Sequence, residues 1–360
     1  MSDPSETAGH DQDPETSAAP ELMPELMPQL TQGLTPGLAH RLTHMPPLPR
    51  FEVRLRPPDL ADWIPGNTGL PGVMQFDSRR PGPHVAITAL MHGNEFAGAI
   101  VLDELLRQDF RPLRGRLSIG FLNLAAFERF DAAQPTASRF IEEDMNRLWD
   151  TAILDSARAS VELDRARELR PLFDDVDILV DLHSMLWPSE PLILSGPTEK
   201  GRRFACTLGM PAMVVTDQGH TSGPRLIDYA MFASPDDSRV ACLIEAGPHW
   251  EPITVDTARV AVRALLRETG MVEEEKLPGP SPRQRCAEVT QVVTAASSSF
   301  SFTQSFRGGE MIGERNTLIG HDGPIEIRTP HDDCLLVMPS LRPSRGHTAV
   351  RLARLLPDAC

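Results

Sequence analysis

The stretch "HVAITALMHGNEFAGAIVLDELLRQ", residues 84–108, contains the strand-to-helix junction from which the fold can be worked out. Residues 84–91 form an apolar run, which predicts a buried β-strand. The last part of the stretch has apolar residues three and four positions apart, which predicts a helix. Between them lie His92 and Glu95, where a turn of small polar residues would serve the fold equally well. The junction is therefore a candidate functional site.

The same alternation of strands and helices continues along the chain. Further buried strands are predicted over 116–124, 176–182 and 239–247, and helices over 156–173 and 254–270. Wholly apolar strands that alternate with helices are typical of a sheet covered on both faces. The sequence therefore predicts an α/β fold with a mostly parallel, doubly wound sheet and helices on both faces.

Composition divides the chain into four segments. Residues 1–48 are rich in proline and polar residues, which predicts a disordered arm. The α/β domain is predicted over 49–275, and a segment rich in proline and charge over 276–283 indicates a linker. Short alternating strands follow, which predict a small C-terminal all-β domain over 284–360.

Charge and composition narrow the function classes. The 360 residues carry a net charge of −15, which argues against nucleic acid or an anionic membrane surface as partner. Neither a long apolar span nor a secretory signal pattern is evident, which predicts a cytoplasmic protein without a transmembrane helix. The five cysteines are scattered, which predicts reduced thiols. A homo-oligomer is left open.

The ends of the predicted strands carry most of the chemistry. His92 follows the first strand with Glu95 close behind, Asn123 lies near the end of the second, His183 ends the third, and Glu245 ends the fourth. In an open parallel sheet, ligands bind at the carboxyl ends of the strands. Two imidazoles and two carboxylates are therefore expected to converge at one edge of the sheet.

This convergence predicts a catalytic zinc site with one Zn²⁺ per chain. Such a zinc takes three protein ligands and leaves a fourth position for water, and we expect His92, Glu95 and His183 as the ligands. Glu245 would then act as a general base that takes a proton from water and passes it to the leaving amine. Each residue alone has an ordinary structural reading, whereas the four together favour a metal site.

A loop-like stretch supplies candidate substrate-binding residues. In "SRFIEEDMNRLWD", residues 138–150, the candidates are Arg139, Asn146 and Arg147. The arginines could bind a carboxylate or stabilise a developing oxyanion, and a solvated charged face is the equal alternative. Two histidines in other loop-like segments are weaker candidates for the site: His220 and His249.

Four motifs in this order, "HGNE", "RFIEEDMNR", "DLH" and "IEAG", resemble the succinylglutamate desuccinylase/aspartoacylase family, which belongs to the wider zinc carboxypeptidase-like fold group. The resemblance covers about residues 80–270, and the β-rich tail is similar to the family's second domain. It implies zinc held by His92, Glu95 and His183. Each motif alone is weak, whereas their combination is specific.

The resemblance also implies roles for the remaining residues. Glu245 would be the catalytic acid and base, and Arg139 would lie near the scissile carbonyl oxygen. Asn146 and Arg147 would bind the carboxylate of a small anionic N-acyl amino acid. Arg225, in "TSGPRLIDY", is a candidate for a further pocket arginine, with loop anchoring as the equal alternative. The implied reaction is hydrolysis of an amide to a carboxylic acid and an amino acid.

The sequence departs from the family at one functional position and leaves two alternatives open. The only tyrosine, Tyr229, precedes the catalytic strand, so the late tyrosine of the aspartoacylase branch has no counterpart. The leading hypothesis is a zinc-dependent amidohydrolase that cleaves a non-peptide carbon–nitrogen bond. The alternatives are a zinc carboxypeptidase acting on peptides and a zinc-binding protein without catalysis.

Overall fold

A computed structural model gives the architecture of the chain. The residues it describes are 51–220, 222–273, 284–357 and 360. The predicted arm over 1–48 and the predicted linker over 276–283 lie outside the described residues. From Glu52 onward the described residues belong to one compact unit.

Fourteen strands form within the described residues. They are β1 (Val73–Asp77), β2 (His84–Ala89), β3 (Arg116–Phe121), β4 (Ile178–Met185), β5 (Leu192–Leu194), β6 (Met213–Thr216), β7 (Val240–Pro248), β8 (Arg285–Thr294), β9 (Phe300–Phe302), β10 (Met311–Ile312), β11 (Leu318–Asp322), β12 (Ile325–Arg328), β13 (Cys334–Val337) and β14 (Thr348–Leu356).

Six α-helices form in the same described part of the chain. They are α1 (Ala97–Arg107), α2 (Leu124–Glu128), α3 (Thr151–Leu154), α4 (Val161–Asp175), α5 (Glu199–Thr207) and α6 (Pro252–Glu268). Short 3₁₀ turns cover Met145–Arg147, Leu226–Asp228 and Ala230–Phe232. None of these described helices is long and apolar enough to cross a membrane.

Eleven strands form one mixed sheet in the order β1-β3-β2-β4-β7-β5-β6-β8-β14-β13-β10. The neighbours β3, β2, β4 and β7 run parallel, which confirms the predicted α/β fold class. Strand β5 departs from the parallel pattern because it pairs antiparallel with β7. The link from β4 to β5 covers only residues 186–191, and a parallel crossover needs a dozen residues or more.

Side chains alternate between the two faces of the sheet along each buried strand. Helices pack against the side chains on both faces. On one face Leu182 of β4 and Ala89 of β2 contact α1 at Gly98, where an added Cβ would lie 2.6 Å from the Leu182 Cβ. On the other face Leu179 of β4 belongs to the same apolar cluster as Leu163 of α4. The predicted coverage of both faces is therefore confirmed.

The C-terminal strands extend the same sheet. Strand β8 pairs parallel with β6, and β14, β13 and β10 follow as antiparallel neighbours. A separate antiparallel sheet, β12-β11-β9, packs there around a core that includes Phe300, Phe306 and Ile319. The predicted C-terminal β region is therefore present, and the structure shows that it is largely antiparallel. The predicted boundary between 275 and 284 falls within a continuous sheet and stays a prediction.

The cysteines differ from the expectation of five reduced thiols. A disulfide joins Cys206, near the end of α5, to Cys360, and the thiols of Cys242, Cys286 and Cys334 are buried. The prediction of reduced thiols was therefore wrong for Cys206 and Cys360. The two partners are 154 residues apart in sequence, so no local spacing could indicate the pairing.

Candidate active site

The parallel strands bring the predicted site residues together at one edge of the sheet. Strand β4 lies between β2 and β7, and its register sets His183 directly beside Glu245. Ala89, the last residue of β2, pairs with Leu182, so the chain that continues to His92 emerges at the same edge. The side chains of His92, Glu95, His183 and Glu245 are all buried there.

The junction after β2 is a tight turn rather than the first turn of the helix. The backbone N–H of Glu95 donates to the carbonyl of His92 at 3.1 Å, and α1 begins only at Ala97. A Cβ on Gly93 would lie 2.6 Å from the carbonyl oxygen of Ser138. Glycine is therefore needed for the close approach of the turn to the following loop, and the turn points both polar side chains toward the strand ends.

His92, Glu95 and His183 form a group that could hold a metal ion, and we call it the ligand cluster. Its ligand atoms lie within 4.8 Å of one another. The Nδ1 atom of His92 is 2.8 Å from Oε1 of Glu95, and Nδ1 of His183 is 3.0 Å from Oε2. Nδ1 of His92 is buried and has no hydrogen-bond partner among the described residues. A buried imidazole nitrogen without a hydrogen-bond partner, next to a carboxylate, is the arrangement expected of residues that bind a cation.

The other imidazole nitrogens are held by carboxylates outside the ligand cluster. Nε2 of His183 lies 2.8 Å from Oδ2 of Asp181, whose Oδ1 accepts a hydrogen bond from the Thr88 hydroxyl at 2.7 Å. Nε2 of His92 lies 2.9 Å from Oδ1 of Asp144. A carboxylate behind a histidine fixes the ring and leaves the opposite nitrogen free for a metal. In both His92 and His183 the nitrogen opposite the carboxylate is Nδ1.

The electrostatics of the ligand cluster keep its carboxylate charged. Burial alone would raise the pKa of Glu95, but the charges of His92 and His183 and the hydrogen bond from His183 outweigh it and hold this pKa well below its ordinary value. Burial would lower the pKa of His183, whereas the charge of Asp181 raises it well above its ordinary value. Glu95 is therefore held as a carboxylate between the two imidazoles.

Glu245 stands beside the ligand cluster as a buried carboxylate without full pairing. Its Oε2 atom has no hydrogen-bond partner among the described residues. Burial raises the pKa of Glu245 to about 8, although the charge of His183 opposes the rise. An unpaired carboxylate is costly in a buried position, so its place at the end of β7 points to a chemical role.

Arg139 lies over the same cluster from the loop between α2 and the 3₁₀ turn Met145–Arg147. Its Nη1 donates to Oε1 of Glu95 at 2.8 Å, and its Nη2 donates to Oδ2 of Asp144 at 3.2 Å. The side chain is 36% exposed, so one face of the guanidinium is open to the pocket. Burial would raise the pKa of Asp144, but His92 and Arg139 together hold it well below its ordinary value.

Asn146 and Arg147 line the pocket on the same side. Oδ1 of Asn146 accepts a hydrogen bond from the backbone N–H of Leu226 at 2.9 Å, which ties two loops of the pocket wall together. The Arg147 guanidinium lies 3.6 Å from Asp144 and is 19% exposed. Burial lowers the pKa of Arg147 to about 10, with the charge of Asp144 opposing, so this cation is only partly compensated.

Arg225 lies in a buried group that we call the arginine cluster, made of Asp217, Arg225, Asp228 and Arg351. Nε of Arg225 donates to Asp228 at 2.7 Å, and Nη1 and Nη2 donate to Asp217 at 3.1 and 2.6 Å. Every nitrogen of the guanidinium is thus paired with a carboxylate. These contacts favour loop anchoring over direct substrate binding as the role of Arg225.

Arg351 is a pocket residue that the sequence did not reveal. It comes from β14, is 3% exposed, and lies 3.2 Å from Asp217 and 2.7 Å from Nε2 of His220. Burial, together with the charge of Arg351, lowers the pKa of His220, so its ring is neutral. A late arginine inside a strand pattern carries no signal that it reaches a catalytic pocket, because only the sheet pairing places it there.

Two further residues complete the wall beyond the ligand cluster. The Ser184 hydroxyl lies 2.7 Å from Nδ1 of His249, and the Ser184 backbone N–H donates to Oε2 of Glu95 at 3.1 Å. Burial lowers the pKa of His249 to about 4, so the ring is neutral near pH 7. Both weaker histidine candidates, His220 and His249, therefore line the pocket without joining the ligand cluster.

Asn123 does not belong to the pocket. Its side chain caps α2 by accepting a hydrogen bond from the Ala126 backbone N–H at 3.1 Å, and its amide donates to Glu162 at 3.2 Å. Its position near the end of a strand therefore does not bring it to the polar residues of the site. The chain turns into a helix directly after β3, so the residue at this strand end serves as a helix cap.

All eight predicted site residues line one cavity of about 740 Å³. The ligand cluster and Glu245 form one wall, and Arg147 lies near Arg225 and Arg351, whose charges act on it. Residues from the C-terminal β region, among them Met338, His347 and Arg351, supply another wall. The cavity is of the size that suits a small molecule.

The sequence profile of the Succinylglutamate desuccinylase/Aspartoacylase catalytic domain matches residues 81–269. This is more than half of the chain and spans the four motifs that carry the site. The chain therefore belongs to the succinylglutamate desuccinylase/aspartoacylase family, a family of hydrolytic deacylases. A comparison with functionally curated proteins gave no match.

Solved structures with the same fold agree with this assignment. Succinylglutamate desuccinylase from Vibrio parahaemolyticus has a TM-score of 0.60 and 17% identity, over 79% of this chain and 86% of that chain. An aspartoacylase family protein from Mesorhizobium loti has a TM-score of 0.56 and 20% identity, over 79% and 88%. The product-bound ectoine utilization protein EutE from Ruegeria pomeroyi has a TM-score of 0.57 and 17% identity, over 78% and 88%.

Proposed function

We propose that the protein is a zinc-dependent amidohydrolase that cleaves the amide of a small, anionic N-acyl amino acid. One observation carries the proposal: a buried donor set with an unpaired imidazole nitrogen stands beside an unpaired buried carboxylate, in His92 and Glu245. Membership of a deacylase family supports the reaction class. The contacts of individual residues support their proposed roles.

His92, Glu95 and His183 are the residues proposed to hold the zinc ion. The two Nδ1 atoms and the Glu95 carboxylate suit Zn²⁺, which takes nitrogen and oxygen ligands and leaves a position open in catalytic sites. When bound there, zinc supplies Lewis-acid activation of a water molecule and of the substrate carbonyl. The carboxylates of Asp181 and Asp144 would keep both imidazoles in the required orientation.

Glu245 and Arg139 are proposed as the catalytic residues. The Glu245 carboxylate would accept a proton from the attacking water and later donate it to the amide nitrogen as the carbon–nitrogen bond breaks. Its burial and its unpaired Oε2 support this role. The half-exposed Arg139 guanidinium would hydrogen-bond the carbonyl oxygen as negative charge develops on it.

Arg147 and Asn146 are proposed to bind the substrate carboxylate. The positive charge of Arg147 is only partly compensated by Asp144, 3.6 Å away, so a substrate carboxylate would find a favourable partner. Arg351 adds a second buried cation to the same wall. Arg225 is proposed to hold that wall in place through Asp217 and Asp228. A cavity of about 740 Å³ favours small substrates over peptides.

The experiment is a metal analysis by mass spectrometry together with hydrolysis of a panel of N-acyl amino acids and blocked dipeptides. We expect one zinc per chain and release of amino acid from one of the N-acyl amino acids. Cleavage of the dipeptides instead would make the protein a carboxypeptidase. Bound zinc without any hydrolysis would favour a binding protein, and purified active protein without metal would overturn the zinc assignment.

A further inference from the structure

Three cysteines meet at a second site, away from the catalytic pocket. Cys206 lies near the end of α5, Cys286 at the start of β8, and Cys360 beyond the end of β14. Their sulfur atoms lie within 4.8 Å of one another. Three segments that are distant in sequence thus bring their sulfur atoms into one cluster, and none of the three cysteines lines the catalytic pocket.

The sulfurs of this cluster are not equivalent. Cys206 and Cys360 form a disulfide with their Cα atoms 5.4 Å apart, and the thiol of Cys286 lies 3.5 Å from Sγ of Cys206. Thiol–disulfide exchange begins when a thiolate attacks one sulfur of a disulfide. The third thiol is therefore already in contact with the sulfur that it would have to attack.

Cys286 is a buried thiol that lies beside a cation. Burial raises the pKa of Cys286, but the guanidinium of Arg202 opposes this rise by its charge and by a hydrogen bond to the sulfur. Cations beside a cysteine promote the thiolate, which is the attacking species. The Gln284 side chain also donates to the carbonyl of Ala205 at 3.4 Å, which keeps the start of β8 against the end of α5.

We propose that Cys206, Cys286 and Cys360 form a thiol–disulfide exchange site in which Cys206 alternates between Cys360 and Cys286 as its disulfide partner. The Cys286 thiolate attacks Sγ of Cys206, and a new sulfur–sulfur bond forms between them. The bond to Cys360 breaks, its electron pair leaves on Sγ of Cys360, and this sulfur takes up the proton that Cys286 has lost. The exchange needs no external oxidant or reductant.

The two disulfides anchor different parts of the chain. With Cys206 bonded to Cys360, the residue that follows β14 is tied to α5; with Cys206 bonded to Cys286, β8 is tied to α5 and Cys360 is released. Cys286 is buried, whereas Cys360 is exposed, so only the exchanged form presents a reactive thiol to solvent. This difference in exposure makes the two forms distinguishable in the folded protein.

The test is alkylation of the native full-length protein with excess iodoacetamide in the absence of reductant, followed by acid quenching and disulfide mapping by mass spectrometry. We expect alkylated Cys360 and the Cys206–Cys286 disulfide to accumulate together, because alkylation traps the released thiol. In the variant Cys286→Ser, Cys360 should stay in its disulfide. The matched control Cys242→Ser removes a buried thiol elsewhere and should behave like the wild type.

Several outcomes would overturn the proposal. The exchange is excluded if wild-type Cys360 stays bonded to Cys206 throughout, or if Cys360 is alkylated equally fast in Cys286→Ser. It is also excluded if all three thiols are found reduced at the start, or if Cys286 itself is alkylated while the original disulfide remains. The variant Cys360→Ser gives a second measurement: a Cys206–Cys286 disulfide should be found there after mild oxidation, and its absence would contradict the exchange.

Discussion

The pocket is bounded by two buried polar groups, the ligand cluster and the arginine cluster, that differ in how their atoms are paired. In the ligand cluster, Nδ1 of His92 lies beside a carboxylate yet has no hydrogen-bond partner among the described residues. In the arginine cluster, each nitrogen of Arg225 donates to Asp217 or Asp228. Burial is similar in both, so pairing is what separates the ligand cluster from Arg225. Arg351, in the same arginine cluster, is paired less completely, because its Nε lies 3.2 Å from Asp217 but has no hydrogen-bond partner among the described residues.

This difference indicates which charged groups serve chemistry and which serve structure. A buried polar atom without a partner is unfavourable unless a ligand completes it, whereas a fully paired ion group has no capacity left for a ligand. This difference in pairing supports the proposals that the ligand cluster binds a metal ion and that Arg225 holds the wall. It also yields measurable expectations for each group.

The largest effect is expected for Glu245→Gln beside the ligand cluster. The variant keeps the shape of the side chain but cannot move a proton, so we expect kcat to fall by about 10²–10⁴-fold. Zinc content, measured by mass spectrometry, should be unchanged. Loss of the metal in this variant would make Glu245 a ligand and would contradict its role as base.

The next effect is expected for Arg225→Met in the arginine cluster. Removing the cation leaves the buried Asp217 with only its contact to Arg351, so the free energy of unfolding should fall by about 3–5 kcal/mol. Denaturant unfolding measures this loss. The matched control Arg203→Met removes an arginine that is 76% exposed and should cost under about 1 kcal/mol. Unchanged stability with a raised KM would place Arg225 in substrate binding instead.

Asp181→Asn tests the support behind the ligand cluster. The change weakens the contact to Nε2 of His183, so zinc affinity should fall by about 10–100-fold, as for other carboxylates behind metal-binding histidines. Competition with a chelator measures the affinity. Asp177→Asn, just before the same strand, is the matched control and should leave zinc binding intact. An equal loss in both variants would point to general destabilisation.

The smallest effect is expected for Arg147→Ala, which changes a residue that lines the pocket. Losing a charged hydrogen bond to the substrate carboxylate should raise KM by about 10-fold while kcat changes little. An analogue in which the substrate carboxylate is replaced by an amide serves as the control, and its KM should be insensitive to the variant. A KM that does not change for the anionic substrate would remove Arg147 from carboxylate binding.

The convergence of the ligand cluster could be predicted from the sequence because it follows from strand ends. Parallel strands align their carboxyl ends, so His92, His183 and Glu245 had to emerge at a common edge once the strands were recognised. Asp181 could have been predicted as well, because it lies two residues before His183 on the same strand and residues two apart share a face. Nothing local marked Asp144 as the partner of His92, because that contact joins a loop to a turn.

What the sequence by itself determined is the α/β core and the identity of the groups at its edge, because hydrophobic periodicity and strand direction are local properties. Only the tertiary structure decided which groups are paired. Arg351 enters the pocket because β14 joins the same sheet through β8, and Cys206 meets Cys360 across 154 residues. Such contacts depend on the packing of elements distant in the chain, and no spacing within the sequence specifies them.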